Sequence, residues 1–205
     1  MHLSLDVSST SRALRSAPAL GVLLLLISVV LTTLAAPPSL SGQAARAGTL
    51  AALASLPGAS AQPLLIPVEG VRPEQLRNTY HDGRSEGREH LAIDIHARRW
   101  TPVLAAADGR VLRLHSGAKG GISLYQLGTD GRTRYYYAHL DGYAEGIAEG
   151  RTVRRGEVIG YVGDTGNATP GDTHLHFAIA ILDDVSRWWE GTNLDPYPLL
   201  RAAAR

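Results

Sequence analysis

The residues of this chain that could do chemistry are histidines and one aspartate. His174 and His176 are separated by a single residue, a spacing that on a strand points both imidazoles to the same face. Upstream, His90 and Asp94 stand four residues apart in Glu89-His90-Leu91-Ala92-Ile93-Asp94-Ile95, and a lone His139 follows in Tyr137-Ala138-His139-Leu140. A hydrolytic zinc centre needs two histidines and a carboxylate as ligands, an open position for water, and spare imidazoles to move protons. The chain has no cysteine, so thiolate ligands and disulfides are excluded and any metal must sit on histidine and carboxylate. Each motif taken singly is weak, because strand histidines are commonly surface groups that hydrogen-bond to water or to the chain. Together, the five imply hydrolytic zinc chemistry.

Such residues need a rigid frame, and the sequence supplies one. A chain of 205 residues holds one domain plus appendages, since a domain commonly takes roughly 100–200 residues. Apolar residues at 44% and charged residues at 19% allow a buried core, while 22 glycines and only 6% aromatics favour tight turns and β structure. Short apolar or alternating runs cover 64–68, 91–95, 103–114, 122–127, 133–140, 158–162 and 174–182. Asp108-Gly109 inside the third run, and Gly120-Gly121, Asp130-Gly131 and Asp141-Gly142 between the later ones, read as hairpin turns. The expectation is a mainly β domain over 64–205, an antiparallel sheet or sandwich. Alternation along the fifth run places Tyr135, Tyr137 and His139 on one face and Tyr136 and Ala138 on the other, giving His139 aromatic neighbours.

The N-terminus speaks for location. Arg12 and Arg15 precede an uncharged apolar run over 19–36, about 18 residues and so at the lower edge of what spans a bilayer. Residues 1–36 are expected to form a hydrophobic helix, as an export signal or an inner-membrane anchor. Pro37 and Pro38 directly after the run make a poor cleavage site and favour the anchor. Residues 37–63 are rich in Ala, Ser, Gly and Pro and read as a flexible tether. Everything beyond is expected outside the cytoplasm, in the cell envelope. Without Asp6, Arg12 and Arg15, the basic and acidic side chains of the remainder are equal in number. That balance excludes the basic footprint a nucleic-acid partner requires.

In order along the chain, these motifs resemble one family. From residue 76 to 200 the sequence is similar to the lysostaphin-like (LytM-type, M23) zinc metallopeptidases of bacterial cell walls. The match runs through Gly87-Arg88-Glu89-His90-Leu91-Ala92-Ile93-Asp94-Ile95, Thr101-Pro102-Val103, Tyr137-Ala138-His139-Leu140, Gly156-Glu157-Val158-Ile159-Gly160, Gly163-Asp164-Thr165-Gly166-Asn167, His174-Leu175-His176-Phe177 and Asn193-Leu194-Asp195-Pro196-Tyr197. The resemblance implies a hammerhead-type barrel-sandwich, Zn2+ on His90, Asp94 and His176, and His139 and His174 off the metal as base and transition-state stabiliser. It also implies that Tyr80 stabilises the tetrahedral intermediate. The implied substrate is the stem peptide of peptidoglycan, cleaved at peptide bonds flanked by small residues. A chain tethered in its own envelope is expected to trim its own cross-bridges, so the expected activity is a D,D-type endopeptidase that opens cross-links.

Two positions depart from the family pattern. Ala92 stands where relatives carry Gly, and its methyl is expected to narrow the substrate groove. Thr173 replaces a Pro before His-x-His, giving up a fixed backbone angle. His96, two residues past Asp94 and on the same strand face, is a possible competing ligand. His81 and His115 read as surface groups, His2 lies outside the domain, and Trp188 and Trp189 either line the groove or pack on the sheet. Two rival functions come from other classes. An inactive wall-binding or amidase-activating relative would have lost ligands, and none is lost here. A biotinyl or lipoyl carrier needs a lysine at a hairpin tip, and Lys119 is the only lysine.

Overall fold

The computed structural model describes residues 63–84 and 87–202. The expected hydrophobic segment 1–36 and all but the last residue of the tether 37–63 lie outside the described residues. Among the described residues, no helix is long and apolar enough to cross a membrane.

Nine strands form one antiparallel system: β1 (Ile93–His96), β2 (Pro102–Leu104), β3 (Gly109–Gly117), β4 (Gly121–Gly128), β5 (Thr133–Tyr143), β6 (Thr152–Val153), β7 (Val158–Val162), β8 (His174–Ile181) and β9 (Thr192–Leu194). A short helix, α1 (Pro196–Ala202), is the last element of the described residues. The main sheet has the order β1-β8-β5-β4-β3-β6, with β9 on the end of β8 and with β2 and β7 off the main path. The expected mainly β, antiparallel architecture is therefore the one observed.

β5 makes the layering possible. Its first half lies between β4 and β8, and beyond a register shift at Leu140/Gly142 its second half pairs with β7, which in turn pairs with β2. The β2–β7 ladder contributes Val103, Ile159 and Val162 to the same apolar cluster as Ile93, Leu124, Tyr137, Leu140, Leu175, Phe177 and Ile179. Complete burial of a Phe, Ile or Leu side chain stabilises by roughly 1.5–3 kcal/mol, so this cluster fixes the strand register. A polar network bordering it is satisfied. The Tyr137 hydroxyl donates to Gln126 Oε1 at 2.7 Å and accepts from the Ala106 amide at 2.9 Å, while Gln126 Nε2 donates to the Ala107 carbonyl at 2.6 Å.

Two expected turns are not hairpins. Asp141-Gly142 lies inside β5, where the strand bends and continues onto β7. Asp108-Gly109 opens β3, which pairs with β4 and β6 and not with the preceding β2; Asp108 Oδ1 instead accepts from the Arg155 amide at 2.7 Å. Gly120-Gly121 and Asp130-Gly131 do close the β3–β4 and β4–β5 hairpins. The run at 64–68 forms no strand, but it lies along β2 through a bridge from Val68 to Val103 and backbone hydrogen bonds from the Leu65 amide to the Ala106 carbonyl and from the Leu104 amide to the Pro67 carbonyl.

Candidate active site

Strand register decides which side chains meet. β1 and β8 place Asp94 opposite His176 and His96 opposite His174, and β5 and β8 place Ala138 opposite His176 and Tyr136 opposite Ala178. Residues directly opposite share a face. Asp94, His96, His174, His176, Tyr136 and Ala138 therefore stand on one face, while Ile93, Ile95, Leu175, Phe177, Tyr135 and Tyr137 build the core on the other.

His139 joins the first group by leaving the strand pattern. Its φ is +60°, a left-handed conformation rare outside glycine, and it follows a register shift between β4 and β5. The expectation that His139 shares a face with Tyr135 and Tyr137 is corrected accordingly, since those tyrosines are in the core. The His139 ring lies 5.0 Å from that of His174 and 5.6 Å from that of His176. Backbone strain of this kind gathers at functional sites.

His90 arrives by a second break in regular structure. β1 begins only at Ile93, and Leu91 has φ +55°. The His90 amide donates to the Asp82 carbonyl and the Leu91 amide to the Tyr80 carbonyl, which anchors this turn to the segment before it.

The result is a close cluster. His90 Nε2 is 2.9 Å from His176 Nδ1, and Asp94 Oδ1 is 3.1 Å from each of those nitrogens. The ring orientations are set from outside. His90 Nδ1–H donates to the Thr79 carbonyl at 2.9 Å, so its Nε2 carries the lone pair turned to the cluster. Thr79 Oγ1 accepts from the Asp94 amide at 3.0 Å, and Arg84 Nη2 donates to Asp94 Oδ2 at 2.7 Å, leaving Oδ1 for the histidines. Two imidazoles and a carboxylate with ligand atoms turned to one point are a donor set that fits a divalent cation, zinc in particular. Burial opposes ionisation of Asp94, but hydrogen bonds and charges from His176 and His90 outweigh it and hold the carboxyl well below its usual range. Burial pushes the His176 imidazole down, against its hydrogen bond to the Asp94 carboxylate. Both shifts keep the ligand forms.

His139 and His174 flank the cluster with one nitrogen tied and one free. His139 Nδ1–H donates to the Thr165 carbonyl and His174 Nδ1–H to the Asp172 carbonyl, each at 2.7 Å. His174 Nε2 is 3.9 Å from Asp94 Oδ1. Burial, with His176 and His174 adding to it against the Thr165 hydrogen bond, pushes His139 down to about 4, so its imidazole is neutral at physiological pH. The loops carrying these carbonyls are tied in turn. Thr165 Oγ1 donates to the Leu140 carbonyl and accepts from the Ile122 amide, and the Arg99 guanidinium bridges Asp141 and Asp164.

The other singled-out residues fall elsewhere. Tyr80 lies edge-on to His81 at 4.9 Å, and its hydroxyl is pushed up by burial and by the charges of Asp195 and Glu89. It presents its backbone carbonyl to the site turn. His96 does not compete for the first cluster; it faces Asp172 at 3.2 Å, one strand position outward. Ala92 is 0% exposed, so its methyl forms no part of a groove wall, contrary to expectation. Thr173 Oγ1 donates to the Ala97 carbonyl at 2.7 Å, a tie a proline could not make. His81 pairs with Glu89 at the surface, and His115 is exposed. Trp188 meets the Tyr125 ring at 4.6 Å, Tyr125 stacks on Tyr136 at 4.4 Å, and Tyr136 meets His176 at 5.9 Å. A row of rings thus leads from the cluster to Trp189, which is 59% exposed. Arg134 holds the far end by donating to the carbonyls of Trp188 and Glu190.

Fold and site together define an antiparallel β domain that gathers His90, Asp94 and His176 into a donor set fitting a divalent cation, flanked by two oriented imidazoles. The profile of peptidase family M23 matches residues 88–196, more than half of the sequence, and the chain belongs to that family. It is 36% identical over 136 residues to the L-Ala–D-Glu endopeptidase of Bacillus subtilis, covering 63% of this chain and 40% of that protein. It is 41% identical over 95 residues to the DD-carboxypeptidase/endopeptidase Mpg of Neisseria meningitidis, covering 46% of this chain and 20% of that protein. The chain thus spans well under half the length of these relatives. Among solved structures it is similar to the catalytic domain of lysostaphin from Staphylococcus simulans, with a TM-score of 0.52 and 28% identity over 62% of this chain and 91% of that one.

Proposed function

We propose that this chain is a zinc-dependent endopeptidase of the cell envelope that hydrolyses peptide cross-links of peptidoglycan, with a D,D-type preference. The observation that carries the reading is the convergence of His90, Asp94 and His176 with two further histidines whose Nδ1 atoms are pinned and whose Nε2 atoms are free. His90 Nε2, Asp94 Oδ1 and His176 Nδ1 hold the metal. Bound zinc supplies a Lewis acid and brings the pKa of a water towards neutrality. His139 and His174 then serve as a pair. One takes the proton of the attacking water, and the other donates to the developing oxyanion or to the leaving amine. Thr165 and Asp172 fix the tautomers this requires, because each carbonyl can only accept. The row from Tyr136 through Tyr125 to Trp188 forms one wall of the substrate groove.

Relatives named for an L-Ala–D-Glu bond and for D,D chemistry support a wall peptide as substrate and leave the bond to be chosen by experiment. The D,D preference rests on location: an exported chain tethered through residues 1–63 reaches its own cell's cross-bridges. The test is a digest of purified sacculi with zinc-loaded and chelated protein, the products separated by chromatography and mass. Cross-linked dimers converted to monomers, with glycan strands intact and the conversion stopped by chelator, are the expected result. Unchanged dimers beside folded, zinc-replete protein would overturn it in favour of a wall-binding or amidase-activating role.

A further inference from the structure

A second set of ligand groups lies one strand position outward from the first. His96 is paired in register with His174 across β1 and β8, and their rings lie 5.3 Å apart with planes tilted by 35°. Asp172 completes the set, with Oδ1 3.2 Å from His96 Nε2 and Oδ2 3.9 Å from His174 Nδ1. One ligand atom from each of the three lies within 4.8 Å of the others. This is again two imidazoles and a carboxylate, the donor composition that suits zinc and other borderline divalent ions.

The geometry is held by the backbone. Thr173 Oγ1 donates to the Ala97 carbonyl and the Ala97 amide to the Thr173 carbonyl, which ties the residues just after His96 and Asp172 to each other. The His174 amide donates to the Gly163 carbonyl, and the Gly171 amide to Asp164 Oδ2. The His96 and Asp172 side chains are 59% and 50% exposed, so an ion and the waters completing its shell have access. An exposed His–Asp contact alone is worth little to stability, and the first site has no need of it.

We propose that His96, Asp172 and His174 form a second, weaker divalent-cation site that shares His174 with the cleft, so that zinc in excess silences the peptidase. The second site is weaker because it is open to water and because His96 lacks the carbonyl that orients His90. The silencing follows from the sharing, and this clause alone rests on the role given to His174 above. A ring nitrogen of His174 held by a cation draws the imidazole from its tie to the Asp172 carbonyl and lowers its basicity.

The full chain, stripped with chelator, is titrated with zinc chloride alone and followed by calorimetry and by metal analysis after dialysis. Two zinc ions per chain are expected, one tight and one weak. His96→Ala and Asp172→Asn should each weaken the second step by at least the roughly 10- to 100-fold that loss of an orienting partner costs a metal site, with the tight step unchanged. His90→Ala should remove the tight step, which tests the first site separately. In the sacculus assay His96→Ala should keep the wild-type rate at one zinc per chain, and the zinc concentration that halves the rate should rise by the same factor as the weak dissociation constant. A wild-type chain that binds one zinc only, or a second step unaltered in His96→Ala, overturns the proposal. The titration decides this whether or not the chain cleaves wall peptide.

Discussion

Replacing His139 by glycine and by alanine separates its backbone role from its chemistry. At φ +60° an L side chain crowds the following carbonyl, a cost of about 1–2 kcal/mol that glycine escapes. Glycine gives back roughly 0.5–1 kcal/mol through the freedom it adds to the unfolded chain. Both variants lose the same hydrogen bond to the Thr165 carbonyl, so that loss cancels in the comparison. The glycine variant should therefore be the more stable by about 0.5–1 kcal/mol, a rise of about 1–4 °C in Tm over the alanine variant for a chain of this size. Ala138, next in the chain and without a positive φ, is the control. There glycine must lower the melting temperature. In both His139 variants hydrolysis of cross-linked muropeptide should fall by about 100-fold or more with zinc retained, since an acid–base group is lost and no ligand. Calorimetric melting and metal content are read on the same preparations. An alanine variant as stable as the glycine one would refute the left-handed backbone as the device that turns His139 to the cleft. Near wild-type turnover in either would refute its part in catalysis.

The remaining predictions are shorter. His90→Ala, Asp94→Ala and His176→Ala should each lose zinc almost completely, because two ligands remain where three are needed; full occupancy in the Asp94 variant, measured by metal analysis, would refute the ligand set. Gly121→Ala places a Cβ 2.2 Å from Thr165 Oγ1 and 2.3 Å from the Thr165 carbonyl carbon at φ +60°. Overpacking and backbone strain together should cost roughly 2–5 kcal/mol, lowering Tm by about 5–15 °C; an unchanged melting curve would show that the hairpin and the Thr165 loop do not touch.

Most strand segments, the β3–β4 and β4–β5 hairpins and the five residues of the cluster are legible in the sequence because their signals are local. Alternation, turn dipeptides and the His-x-His and His-x-x-x-Asp spacings lie within a few residues, and the run at 158–162 coincides with β7. On β5 the alternation holds for Tyr135, Tyr136, Tyr137 and Ala138 and fails at His139 alone, because a period of two holds only while φ stays extended and His139 breaks it through tertiary contacts, including the hydrogen bond from its amide to the Gly120 carbonyl. The short pairings of β6 and β9 carry no periodicity in two and three residues, and only the partner strands β3 and β8 define them. Thr79 and Arg84 carry no signal as site residues, and Thr165 stands in a matched motif without a role read from it. Their contacts with Asp94, His90 and His139 span 10 to 26 residues of sequence, beyond the reach of local patterning.

The two departures from the family pattern now have a common physical reading. A methyl at Ala92 is tolerated because it points away from solvent and has no exposed surface, so the turn between His90 and Asp94 keeps its shape without glycine there. The left-handed conformation in this turn falls one residue earlier, on Leu91, which is held by the hydrogen bond from its amide to the Tyr80 carbonyl. Thr173 gives up the fixed φ of proline but gains a hydroxyl, and that hydroxyl ties the start of β8 to Ala97 just beyond the end of β1. Proline restricts the unfolded chain, whereas threonine acts through a bond present only in the folded one. The end of β1 and the entry to β8 carry His96 and His174, so the same substitution that stands in for proline also fixes the pair on which the second cation site depends.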